Sequence, residues 1–470
     1  MTTDPETQPP RPFETSIEGS ASLLQAAARS AVRYTQEVDR RRVAPDAAAL
    51  AGLDRFNEPL PEFGATPEST LALLDEFGSP ATVATTGARY FGFVNGATLP
   101  VALGASFLAN AWDQNAALAV MSPLAAALHE TVRGWLVELL GLPSQTALSF
   151  VTGATVANAA ALATARDTLL QQMGWETQSQ GLFGAPPLNV VIGQQAHSTL
   201  RKSLGLVGLG RDRVLIVPAD DQGRMRVDLL PDLSGPVLVC AQAGEVNTGA
   251  FDHFDPLADY VADHGGWLHV DGAFGLWALA DPSRSDLVAG LTRADSWATD
   301  GHKWLNVTYD CGMAFFRDPT APRQTFSAAA GYLPVSDTYD AMHNTPQSSQ
   351  RARQVEVWAV LRTLGRTGLA ELIGGTSLVA QRIAHLLAEG GFTILNDVVL
   401  NQVLVRPPDP THTDALITAI QQDGRIWCGP TQWQGSSAMR ISVSSWKTTL
   451  TDGEFAASVI LELAAEVGRA

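Results

Sequence analysis

Between residues 147 and 317 short apolar runs alternate with longer helical stretches, and that alternation restricts the chain to few architectures. The runs 147–151, 188–192, 214–217, 237–241, 267–270 and 296–299 are too short for helices and apolar nearly throughout, as strands buried on both faces are. Helical segments separate them, among them the alanine-rich stretch 156–170. Strands and helices in strict alternation predict an α/β fold whose sheet is mostly parallel and covered on both sides, with 311–316 as a candidate antiparallel member. After residue 319 the pattern changes. Residues 327–350 are polar and irregular, and loops of that length inside compact domains are usually functional lids or disordered. Helices over 351–363 and 368–389 then lead into a smaller α/β unit, with strands near 393–395, 402–405 and 439–443.

Parallel sheets display functional side chains at the carboxyl ends of their strands. Asp271 follows the run Trp267-Leu268-His269-Val270, and Lys303 follows 296–299 at the bend Asp300-Gly301. Neighbouring strand ends then bring Lys303 near Asp271. An isolated Asp and Lys are usually a plain surface ion pair. A carboxylate facing a lysine in this position suits pyridoxal phosphate, which is held as a Schiff base on a lysine amine and needs an acid to keep its ring nitrogen protonated. The turn Thr152-Gly153-Ala154-Thr155 adds a small-residue entry to a helix. Free backbone N–H groups and the positive dipole end there are what a phosphate monoester requires, although many such turns bind nothing.

His269-Val270-Asp271-Gly272-Ala273, Gly301-His302-Lys303-Trp304 and Gln195-Ala196-His197-Ser198 together resemble the pyridoxal-phosphate-dependent group II amino-acid decarboxylases, enzymes of fold type I. The resemblance runs over about 122–447. It implies that Lys303 carries the cofactor, that Asp271 pairs with the pyridine nitrogen, and that His197 stacks on the ring with Ala273 under the opposite face. It places Ala154, Thr155 and His302 on the phosphate and Asn247 near the phenolic oxygen. Val156 stands where the family has Glu. A seven-stranded large domain over 121–365 and a small C-terminal domain over 366–470 follow from the same resemblance. So does a helical arm over 1–120 that wraps a second subunit, giving a homodimer with shared active sites.

Residues 89–115 mix aromatics, glycines and amides, a composition that suits a substrate wall, and Phe93 and Trp112 are its candidates. The segment lacks the family's His-Pro-x-Phe lead-in. Arg440 resembles the small-domain arginine whose planar fork meets a substrate carboxylate. Tyr339, with Tyr332 as its rival, resembles the loop tyrosine that returns a proton to Cα, a step for which a phenol with a pKa of about 10 stays protonated at neutral pH.

The resemblance implies decarboxylation of an L-amino acid to an amine and carbon dioxide. Which bond at Cα breaks depends on which is held perpendicular to the cofactor ring. Aminotransferase, aldolase-type lyase and decarboxylation coupled to oxidation therefore stand as alternatives. A non-catalytic cofactor-binding regulator is disfavoured, because regulators of that kind carry an added DNA-binding module. A net charge of −17 argues against nucleic acid and anionic membrane as partners. No apolar run approaches the roughly 18 residues of a membrane span, and the proline-rich N-terminus has no signal-peptide core. Cys240, Cys311 and Cys428 are widely spaced and give no metal or disulfide pattern, so a cytoplasmic enzyme without a metal is expected.

Overall fold

The computed structural model describes residues 17–328 and 338–469. Seven strands form the larger sheet: β1 (Ala147–Val151), β2 (Asn189–Gly193), β3 (Leu215–Val217), β4 (Val237–Gln242), β5 (Trp267–Asp271), β6 (Ser296–Asp300) and β7 (Gly312–Phe316). Their order is β1-β7-β6-β5-β4-β2-β3, parallel from β6 to β3, with β7 antiparallel to both its neighbours. The expected α/β fold with a mostly parallel sheet is thus present.

Alternation along each strand fills two layers. Val239 and Ala241 of β4 join the main core with Phe254 and Leu257, whereas Leu238 and Cys240 face Leu162 and Leu169 on the opposite side. The helix Ala154–Gln172 lies close on that side because its contact residues are small, with Ala157, Ala160 and Ala161 set against Ala298 and Ala314. Gly312 permits a second close approach. A Cβ there would fall 2.4 Å from the Cα of Gly153, so only glycine lets the turn after β1 settle between the ends of β1 and β6.

A second, wholly antiparallel sheet is built from β8 (Thr393–Ile394), β9 (Gln402–Arg406), β10 (Gly429–Trp433) and β11 (Ser436–Ser442), in the order β10-β11-β9-β8. The sequence reading had no β10. Its turn signal is Gln434-Gly435, both at positive φ, as a tight hairpin requires. The two helices expected over 351–389 run as Gln354–Glu389, broken only at Gly365, where φ is +61. Val357, Leu369 and Ile373 of that helix belong to the larger core and Val379 and Ile383 to the smaller one, so it couples the two sheets. Residues 91–102 make a second crossing: Phe91 packs in the smaller core, and Val94, Leu99 and Ala102 pack in the larger. The helix Pro100–Trp112 follows, within a stretch read from sequence only as pocket wall.

Candidate active site

A cleft of about 760 Å³ opens where β4, β5 and β6 end, bounded by the turn after β1 and by β10 and β11 of the smaller sheet. Asp271 closes its floor with 4% of its surface exposed. Its carboxylate accepts hydrogen bonds from Asn158 Nδ2 at 3.0 Å and from the backbone N–H of Ala273 at 3.2 Å. Burial pushes the Asp271 carboxyl up from the ordinary range, and the charges of His197 and Lys303, together with those two hydrogen bonds, oppose it.

His197 caps the helix Ser198–Leu206. Its Nδ1 accepts the Thr199 N–H at 3.3 Å and lies 2.7 Å from Thr199 Oγ1, while its own backbone N–H donates to Gln242 Oε1 at 3.2 Å. Fixed in this way, the ring lines the cleft beside Asp271 and Ala273. Burial lowers its pKa, which favours the neutral imidazole.

Lys303 faces the same cleft, but its Nζ pairs with Asp300 Oδ2 at 3.0 Å rather than with Asp271. Asp300 was not among the residues singled out from sequence. It is 3% exposed, its Oδ1 accepts the backbone N–H of Ala154 at 2.6 Å, and His302 Nε2 lies 3.6 Å away. The other nitrogen of His302, Nδ1, accepts the Cys311 N–H at 3.1 Å, so Nε2 carries the proton of the neutral ring. Thr155 lies in the cleft beside Ala154, in the first turn of a helix whose leading amides have no intrahelical acceptors. Gly153 keeps this corner open, since a Cβ there would meet Asp300 and His302 at 3.4 Å.

The donor set fits pyridoxal phosphate: a lysine amine, a buried acid, a flat neutral imidazole and an alanine in one cleft, and a helix entry with a histidine N–H for the phosphate. The family profile described as the pyridoxal-dependent decarboxylase conserved domain matches residues 80–406. The chain belongs to this family. It is 30% identical over 438 residues to histidine decarboxylase of Drosophila melanogaster, covering 88% of this chain and 50% of that enzyme. With L-2,4-diaminobutyrate decarboxylase of Rhizobium meliloti it shares 30% identity over 381 residues, 76% of this chain and 74% of the relative. The chain therefore spans half the length of the fly enzyme and about three quarters of the bacterial one. The fold matches that of Oryza sativa TDC, solved with PLP and tryptamine, with a TM-score of 0.88 at 21% identity over 97% of this chain and 99% of that one. Mouse CSAD in its apo form matches with a TM-score of 0.86 at 21% identity, covering 96% and 99%.

The family is one of pyridoxal-dependent decarboxylases and both relatives are amino-acid decarboxylases, which favours that reaction over the aminotransferase and aldolase-type alternatives. The other sequence candidates are distributed unevenly. Arg440, on β11, reaches the cleft, donates from Nη1 to Val246 O at 3.0 Å and has no ion-pair partner among the described residues. Asn247 lines the cleft with one amide hydrogen committed to Glu245 Oε1 at 2.9 Å and its Oδ1 accepting from Thr431 at 2.7 Å. Phe93 stands at the mouth, with φ +53 and its ring stacked on Trp427 at 5.4 Å. Gly92 lets Trp427 come in, because a Cβ there would lie 2.1 Å from its ring, and Gly96 lets the same segment pass the backbone of Lys303, whose carbonyl oxygen a Cβ would meet at 1.8 Å.

Two of the sequence candidates lie outside the cleft of their own chain. Trp112 ends the helix Pro100–Trp112, 42% exposed and outside the cleft of its own chain, because that helix carries it away from the strand ends. Tyr339 is not on a free loop. Its ring stacks on His129 at 3.6 Å and its hydroxyl donates to Leu148 O at 3.1 Å, behind β1 and away from the cleft. Tyr332 lies outside the described residues. The tyrosine that does line the cleft, Tyr309, stacks on His302 at 4.1 Å and was not picked out from sequence.

Proposed function

We propose that this chain removes the α-carboxylate of an L-amino acid as carbon dioxide, releasing the amine, with Lys303, Asp271, His197 and Arg440 as the working residues. Lys303 and the buried Asp271 sharing one cleft with a helix entry is the observation that carries this reading. Bound pyridoxal phosphate supplies the electron sink for the pair left by the broken bond. Asp271 opposes loss of the ring-nitrogen proton with a negative charge held in a water-poor site. His197 offers a flat neutral face, and Ala273 leaves room opposite. Among the described residues no acid pairs with the fork of Arg440, which suits a substrate carboxylate, while Phe93 narrows the mouth against water.

A homodimer fits the exposed apolar residues of the N-terminal elements, among them Leu24, Val32, Leu74, Phe107 and Leu108. Val32, Leu74 and Phe107 also line a groove of about 1040 Å³ between the helices Ile17–Glu37, Pro67–Leu73 and Pro100–Trp112. A cytoplasmic setting suits three buried cysteines that are all free thiols.

Amino acids should be screened with the reconstituted protein, with amine, keto acid, aldehyde and carbon dioxide measured together. Amine with equimolar carbon dioxide is expected, and keto acid without carbon dioxide would overturn the proposal. Borohydride treatment followed by peptide mapping should place the pyridoxyl group on Lys303.

A further inference from the structure

Behind Asp271, away from the cleft, lies a line of buried polar groups that the proposed chemistry does not use. Trp267, His269 and Asp271 alternate along β5 and so share one face, which the helix Ala154–Gln172 covers with Asn158. Trp267 Nε1 lies 2.8 Å from Ser296 Oγ, and Ser296 Oγ lies 2.9 Å from His269 Nδ1. His269 Nε2 is 2.9 Å from Asn158 Oδ1, and Asn158 Nδ2 is 3.0 Å from Asp271 Oδ2. His269, Ser296 and Asn158 are fully buried.

The two ends of this line determine every bond within it. An indole N–H can only donate, and a carboxylate can only accept. Asp271 can only accept, so Asn158 turns Nδ2 to it and Oδ1 to His269, whose Nε2 must then carry the ring proton. His269 Nδ1 is therefore an acceptor, and Ser296, accepting from Trp267, gives its single hydroxyl proton to it. Burial pushes the His269 imidazole down to about 3, so it stays neutral and the bond direction holds. Reversing any one bond would leave a buried donor or acceptor unpaired.

We infer that Trp267, Ser296, His269 and Asn158 form a one-way hydrogen-bond relay that presents a fixed donor to Asp271 and thereby holds its carboxylate acceptor-only toward the cofactor's ring nitrogen. These four are positioning residues, and the inference rests on the pyridoxal phosphate reading above. The relay gives Ser296, two side chains removed from Asp271, an effect on chemistry in the cleft.

The test uses holoenzyme loaded with pyridoxal phosphate labelled with 15N in the ring, read by NMR, with kcat and KM measured alongside. His269→Gln can still accept from Ser296 and donate to Asn158, and should keep the wild-type pyridine signal. His269→Phe and the smaller change Ser296→Ala should each move that signal toward unprotonated pyridine and lower kcat by about 10–100-fold, as the loss of outer-shell partners does at metal sites, with KM unchanged. An unmoved pyridine signal in a loaded Ser296→Ala or His269→Phe enzyme would overturn the relay. So would a His269→Gln signal displaced as far as that of His269→Phe. A wild-type protein that binds no cofactor would instead overturn the reading on which the relay depends.

Discussion

Lys303 is ion-paired with Asp300 at 3.0 Å rather than with Asp271, although the two acids end neighbouring strands. The register explains the choice: Asp271 is level with Ala298, so β6 runs past it and ends in Asp300 beside the lysine. Asp300 also takes the first amide of the helix Ala154–Gln172, which ties the lysine to the phosphate corner through one carboxylate.

Asp300→Asn separates these two duties. The amide can still accept from Ala154 but no longer holds the ammonium by charge. Cofactor content should stay near wild type while turnover falls by up to about 10²-fold, because a reacting amine displaced by 1 Å loses that much. Absorbance titration of the cofactor and kcat on the same sample check it, and wild-type turnover would remove Asp300 from the machinery.

His269 makes acid stability measurable. Its imidazole sits at about 3 in the folded protein, against about 6.5 unfolded, so between those values the unfolded chain binds the extra proton. Stability from this residue is therefore present above pH 6.5 and is lost as pH falls toward 3. From pH 7 to pH 5 the loss is about 2 kcal/mol. Buried Asp252, raised to about 6 in the folded state, works in the opposite sense over part of that range. Only the difference between wild type and His269→Gln isolates the histidine. Denaturant midpoints of the variant should fall less between pH 7 and pH 5, and parallel pH profiles would show that His269 titrates freely.

Much of this site was legible in the sequence because strand ends are easy to recognise. Asp271, Lys303, His197, Ala273 and the turn at Ala154 all follow short apolar runs, and all meet in the cleft. What stayed hidden depends on register and on contacts between elements. Asp300 stood three positions before Lys303, yet its role needed the knowledge that β6 outruns β5. The alternation Trp267, His269, Asp271 was visible, but Asn158 and Ser296 complete the relay from two other elements. Tyr339 failed for the converse reason: a polar, irregular stretch gave no sign that His129, far upstream, would hold its ring.

Arg440 offers a direct reading of substrate contact. Lysine at this position keeps the charge but cannot make two parallel bonds to a carboxylate. Loss of one charge-assisted hydrogen bond is worth about 1.5–3 kcal/mol, so Arg440→Lys should raise KM by roughly ten- to a hundred-fold while kcat changes little. Because Arg440 also donates to Val246 O, beside Asn247, the variant's cofactor affinity should be measured in parallel. An unchanged KM for the substrate found in the amino-acid screen would assign Arg440 to loop support alone.

Whether a tyrosine returns a proton to the substrate Cα is tested by two phenylalanine variants. Tyr339→Phe removes a hydroxyl that donates to Leu148 O, so it should cost about 1 kcal/mol of stability and leave the ratio of amine to aldehyde unchanged. Tyr309 stands in the cleft instead, with its hydroxyl donating to Asn95 Oδ1 at 3.1 Å. Burial, with the nearby Asp300 charge, pushes the Tyr309 phenol up to about 12, so it holds its proton throughout the neutral range. Tyr309→Phe should still release carbon dioxide while amine falls and, in air, aldehyde rises. Product analysis by chromatography distinguishes the two variants. A full amine yield from Tyr309→Phe would return the role to Tyr332 or to water, and a changed product ratio in Tyr339→Phe would mean that its ring leaves His129 during turnover.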